Sequence, residues 1–117
     1  MAAVALNTFK TIRTGITTSN VGIYTCPSGV ASIVLLMNVT NIGSGTTTYN
    51  VTASHSRSAE SPSDYLISNA FDVPANDSAN LVPDGRLVLE SGDVIKIKAN
   101  ENNVLNIVLS ILETAKG

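Results

Sequence analysis

Apolar and polar side chains alternate along most of this chain with a period of two, and no window holds the three-and-four spacing of a helix face. β-branched residues dominate nearly every apolar stretch, which favours strands over helices. The clearest case is Thr47 to His55, where Tyr49, Val51 and Ala53 share one face and Thr48, Asn50 and Thr52 the other. Val30 to Asn41 is the most apolar stretch; Ile33-Val34-Leu35-Leu36-Met37 is greasy on both faces and predicts the innermost strand. Gly43-Ser44-Gly45 between these two segments predicts that they pair as a hairpin. Further strands are expected over Phe9 to Thr18, Val21 to Thr25, Tyr65 to Val73, a short run from Ser78, Leu87 to Leu89, Val94 to Lys98 and Val104 to Leu112.

The punctuation is firm. Pro27 and Gly29 end the second segment, Pro74 the fifth, Pro83-Asp84-Gly85 the sixth, and Glu90-Ser91-Gly92-Asp93 turns the chain into the eighth. About eight strands with closely spaced turns predict an all-β antiparallel sandwich or jelly roll. At 117 residues the chain fits one domain, residues 1–117, with the ends 1–8 and 114–117 free to extend as arms.

Composition sharpens this picture. The hydrophobic share of 44% supplies a core, whereas the charged share of 14% falls well short of the roughly 25% usual in soluble proteins. Ser, Thr and Asn cover the surface instead. The net charge of -2 and scattered cations leave no footprint for nucleic acid, and so little net charge scarcely opposes self-association, so a homo-oligomer is expected. The apolar run 30–37 is too short for a membrane span. The start Met1-Ala2-Ala3-Val4-Ala5-Leu6 lacks the basic residues of a secretory signal, and with the lone Cys26 this points to synthesis in a reducing cytoplasm.

Chemistry-bearing residues are few. His55, the only histidine, lies among Ser54, Ser56 and Ser58, yet no nucleophile elbow accompanies it, and an ordinary strand-end histidine is the expectation. Cys26 precedes Pro27, not a helix, and reads as a structural thiol. Asp93 after Gly92, like Asp84, is explained by turn chemistry. No catalytic residue, cofactor or metal is expected. Ser56 to Ser63 lacks periodicity and forms the longest expected loop, so Arg57, Glu60, Ser63 and Asp64, with Asn102 and Asn103 in the Asn100 to Asn103 loop, are the expected contact residues. Aromatics at 4% argue against glycan and single-stranded nucleic-acid platforms.

Tyr24-Thr25-Cys26-Pro27-Ser28-Gly29, the strand ending Thr40-Asn41, and Leu89-Glu90-Ser91-Gly92-Asp93-Val94-Ile95 together resemble a family of small structural proteins from tailed bacteriophages, especially those of marine cyanobacteria. The family pattern runs Tyr-Thr-x-Pro-x-Gly, a strand, Thr-Asn and then Leu-x-x-Gly-Asp-x-Ile; Cys26 stands where Ala or Val is common. The resemblance implies a virion component made in the host cytoplasm, a capsid decoration protein on the major capsid protein or, alternatively, a tail, neck or fibre part that recognises a host surface.

Overall fold

The computed structural model describes residues 7–83 and 86–115. Nine strands form in chain order: β1 (Asn7–Gly15), β2 (Val21–Thr25), β3 (Val30–Asn41), β4 (Tyr49–Ser56), β5 (Asp64–Val73), β6 (Ser78–Asn80), β7 (Leu87–Leu89), β8 (Val94–Ala99) and β9 (Leu105–Ala115). No helix occurs among the described residues, so none is long and apolar enough to cross a membrane. The strands make two antiparallel sheets, β1-β9-β3 flanked by β6 and β7, and β2-β8-β4-β5. Because β6 pairs Thr40 to Asn38 and β7 pairs Val34 to Ser32, the two short strands share one position beside β3. Nine strands thus fill eight positions, one strand more than the count of about eight, and each coincides with a segment that alternation marks.

The core lies between the sheets. β9 contributes Leu105, Ile107, Leu109 and Ile111, and the facing sheet contributes Val51, Ala53, Ile95 and Ile97, all fully buried or nearly so. Period-two alternation therefore holds along β8 and β9, as packed sheet faces require.

The expected β3–β4 hairpin does not form. β3 lies in one sheet and β4 in the other, so residues 42–48 cross between layers. Buried Asn41 fixes that crossing: its side-chain amide donates to the carbonyls of Thr47 and Val73, both at 3.0 Å, and its Oδ1 accepts from the Gly43 amide at 3.0 Å. The Gly-rich stretch resembles a hairpin turn in sequence, but seven residues are enough to pass from one sheet to the other, and each strand pairs with partners remote in sequence. The 42–48 connection is also as long as the 57–63 loop.

β3 carries a second departure from simple alternation. Its pairing with β9 shifts between Val34 and Leu36, leaving Leu35 as an extra, exposed residue. Before the bulge Ser32 and Val34 face the core; after it Met37, Val39 and Asn41 do. Leu36 is thereby turned outward, and only one face of this strand is core. At the ends of the chain, Asn7 and Thr8 pair with Thr114 and Glu113 as ordinary ladder residues, not arms; the rest of both ends, and the expected turn at Asp84-Gly85, lie outside the described residues.

Candidate functional site

At one end of the four-stranded sheet the last residues of β4, the first of β5 and β8, and the loops before them converge. Register brings them together: Ser56 pairs with both Asp64 and Val94, and His55 with Tyr65 and Ile95. Asp93, next to Val94, has a side chain only 1% exposed. It accepts from Arg57 Nε and Nη2, each at 2.8 Å, pairs with His55 Nε2 at 2.8 Å, and accepts from the Glu90 amide at 2.9 Å. Outside this centre, Arg57 Nη1 reaches Glu60 and Nη2 reaches Glu90, both at 3.2 Å.

The electrostatics follow from the geometry. The Arg57 guanidinium, then the Glu90 amide and His55, hold the Asp93 carboxyl well below the usual carboxylate range, against a burial penalty of opposite sign. Bonding to Asp93, and then to Glu60, holds Arg57 above its ordinary value. Asp64 is lowered by the Ser56 hydroxyl and by Lys96, whose Nζ stands 3.6 Å away. The bidentate fork of Arg57 matches a carboxylate in geometry as well as charge. Its chemistry is that of a clasp: a buried carboxylate ties loop 57–63 to the β7–β8 turn. His55 is oriented by an acid, yet among the described residues no hydroxyl or thiol hydrogen-bonds to its ring. No group of three metal-binding side chains gathers among the described residues.

The expected contact residues therefore separate. Arg57, Glu60, Ser63 and Asp64 meet at this end, with Ser63 Oγ donating to Asp64 at 3.2 Å. Asn102 and Asn103 lie at the other end of β8, about 17 Å along a six-residue strand. There Asn102 Oδ1 accepts from the Thr18 amide at 2.8 Å, and Asn103 adopts φ 63°. Asp93 is more than a turn residue: its amide does close the turn onto the Glu90 carbonyl, but its side chain is the buried centre of the cluster. The Gly-Asp pair within Leu89 to Ile95 was the signal for it: with Val94 facing outward and Ile95 inward, a turn aspartate directly before Val94 shares the inward side of Ile95.

A second polar chain lies within the sandwich at the same end. Tyr24 Oη donates to Glu113 Oε2 at 2.6 Å and shares a hydrogen bond with Ser32 Oγ at 2.7 Å; Lys10 Nζ lies 3.3 Å from the same Glu113 oxygen. Burial and Glu113 push the Tyr24 phenol above its ordinary range. Cys26, fully buried, donates to the Val30 carbonyl at 3.3 Å, as a structural thiol does.

The two sheets differ in their outward faces. The outward positions of β8, Val94, Lys96 and Lys98, and of β4, Thr52 with the buried Ser54 and Ser56, are mainly polar or charged, although Leu66 of β5, paired with Ser54, is exposed. On the five-stranded sheet the register aligns Phe9, Leu112, Ile33 and Val88 in one row across β1, β9, β3 and β7. Phe9 is 74% and Val88 56% exposed. With Leu35, Leu36 and Val108 they form an apolar patch that takes no part in the core. Loops drew attention in the sequence because their residues are polar and irregular; this face was hidden because which side of a strand faces out depends on the opposing sheet.

No family model matches the sequence, and no curated protein does. Solved structures do match. A chain from the acidic stable capsid structure of Helicobacter pylori bacteriophage KHP30 aligns over 97% of this chain and 90% of its own, with a TM-score of 0.55 and 12% identity. A chain from the Bacillus endospore appendages, a family of disulfide-linked pili, aligns over 98% and 97%, with a TM-score of 0.52 and 12% identity. At that identity the likeness establishes a shared fold.

Proposed function

We propose that this chain is a non-enzymatic structural protein of a phage virion, a decoration protein that binds the outer shell formed by the major capsid protein. The observation that carries the reading is the near-full-length fold likeness to a chain from a phage capsid structure. The strand order 1-9-3-(6,7) over 2-8-4-5, with only β4 and β5 pairing as sequence neighbours, is what we read as a jelly roll, an architecture that viral shells use. Both solved neighbours come from large protein assemblies, which accords with a chain whose role is to pack against other protein surfaces and against copies of itself. Disulfide linkage is not carried over, because the thiol of Cys26 is buried. The Asp93 clasp supports the same reading, since His55 and Arg57 are both engaged in holding a loop in place. Glu60, Ser63, Asp64, Asn102 and Asn103 then belong to the polar rim of the contacts, and neither nucleic acid nor membrane is a partner.

Immunogold labelling of particles tests the placement. Label over the whole head is expected; label confined to the tail transfers the chain to a tail, neck or fibre role. Particles lacking the protein should lose heads to heat or osmotic shock sooner than complete ones. Unchanged survival together with unlabelled particles would refute the virion reading.

A further inference from the structure

We infer that the outward face of the five-stranded sheet seats the same face of a second copy of this chain, giving a two-fold dimer of sandwiches. The inference deepens the structural reading above by naming one contact surface and its occupant.

The apolar row Phe9, Leu112, Ile33 and Val88 runs across all four strand positions of the sheet. Leu35 and Leu36, turned out by the bulge, extend it along β3. None of these six side chains packs against the core. Contiguous apolar patches of this kind on a soluble protein mark a docking surface.

The charge pattern selects the occupant. Among the described outward positions of β1, β3, β6, β7 and β9, in register with Leu112, Arg13 is the only ionic side chain and no acid occurs. A charged partner finds no complement there. An identical face does, since uncharged meets uncharged. A two-fold axis along the strands, between β9 and β3, sets Leu112 of one copy against Ile33 of the other and Phe9 against Val88. The two Arg13 side chains then lie on opposite rims, in water, because β1 is an edge strand.

The area suffices. Four strand positions about 4.8 Å apart, and nine paired residues rising about 3.4 Å each, give a face of roughly 600 Å². Two such faces remove roughly 1,200 Å² from water, the lower bound for a specific and stable interface. Side-chain relief raises that figure, and sheets stack face to face at about 10 Å in this manner.

Sedimentation equilibrium of the purified full chain over a concentration series tests the inference. Wild type is expected at twice the chain mass. Val88→Glu and Leu112→Glu should each weaken the dimer about 100-fold, because each buries an unpaired carboxylate. Both should keep the wild-type circular dichroism spectrum, whereas Lys98→Glu on the opposite sheet should leave the dimer intact. Mixing Leu112→Glu with Ile33→Lys should restore association that neither variant shows alone. A monomeric wild type, an assembly mass that is not a multiple of two, or a dimer indifferent to both glutamates would overturn the inference. A monomer that still coats phage heads would remove the dimer and leave the virion role standing; a dimer absent from particles would do the reverse.

Discussion

Asp93 concentrates more consequence than any other residue here. A buried carboxylate with four donors is stable only while it stays ionised and paired, so Asp93→Asn should cost roughly 3 kcal/mol, as breaking a buried ion pair does. Urea unfolding with an unchanged slope would measure it. The sign of the pH effect follows from the depressed folded-state value. Asp93 contributes its full stabilisation above an unfolded pKa of about 4 and loses it as pH falls below that. The variant should therefore show a shallower loss of stability between about pH 4 and pH 2 than wild type. Tyr24 acts at the other limit: its raised folded-state value keeps the phenol protonated where the unfolded chain, at about 10, has lost the proton. Stability should fall as pH climbs above about 10, and Tyr24→Phe should flatten that alkaline slope while lowering neutral stability by about 1 kcal/mol through its lost hydrogen bonds.

Among the elements, β3 shows how one inserted residue reassigns a strand. Unbroken alternation from Ser32 and Val34 would carry Leu36, Asn38 and Thr40 into the core. The bulge at Leu35 instead buries Met37 and Val39, and it brings Asn41 in to stitch the crossover. Met37→Ala should accordingly cost about 3 kcal/mol through lost burial and a cavity, whereas Leu36→Ala should cost under about 1 kcal/mol in monomer stability. Equal losses at the two sites in thermal or urea unfolding would contradict the bulged register. The sequence of β3, apolar on both faces, was compatible with either assignment. The hairpin expected between β3 and β4 failed for a related reason: local turn chemistry specifies that a chain can reverse, not which sheet it enters.

At the level of the whole molecule the two outward faces differ: the central strands of the four-stranded sheet carry polar and charged side chains, whereas an apolar row crosses the five-stranded sheet. Dimerisation through a face whose one ionic strand residue, Arg13, lies at the rim should be nearly indifferent to salt, since screening acts only on charge. The dissociation constant of the dimer is thus expected to change by less than about twofold between low and high salt; a steep change would assign the contact to the Arg57, Glu60 and Asp64 end instead. That end was partly legible beforehand. Its loop residues stood out as irregular and polar, but Asp93 and His55 joined them only when three strands ended side by side. Asn102 and Asn103 had the same local character and lie at the opposite end of the sandwich.

Alternation, turn residues and the shortage of charge were enough to specify strands, their approximate limits and an all-β layer structure, because those depend on each residue's neighbours along the chain. Pairing partners, the bulge in β3, the burial of Asp93 and the exposure of Phe9 and Val88 depend on contacts between segments far apart in sequence. A side-chain period of two is indifferent to which of two faces looks inward, and only the arrival of the second sheet breaks that symmetry.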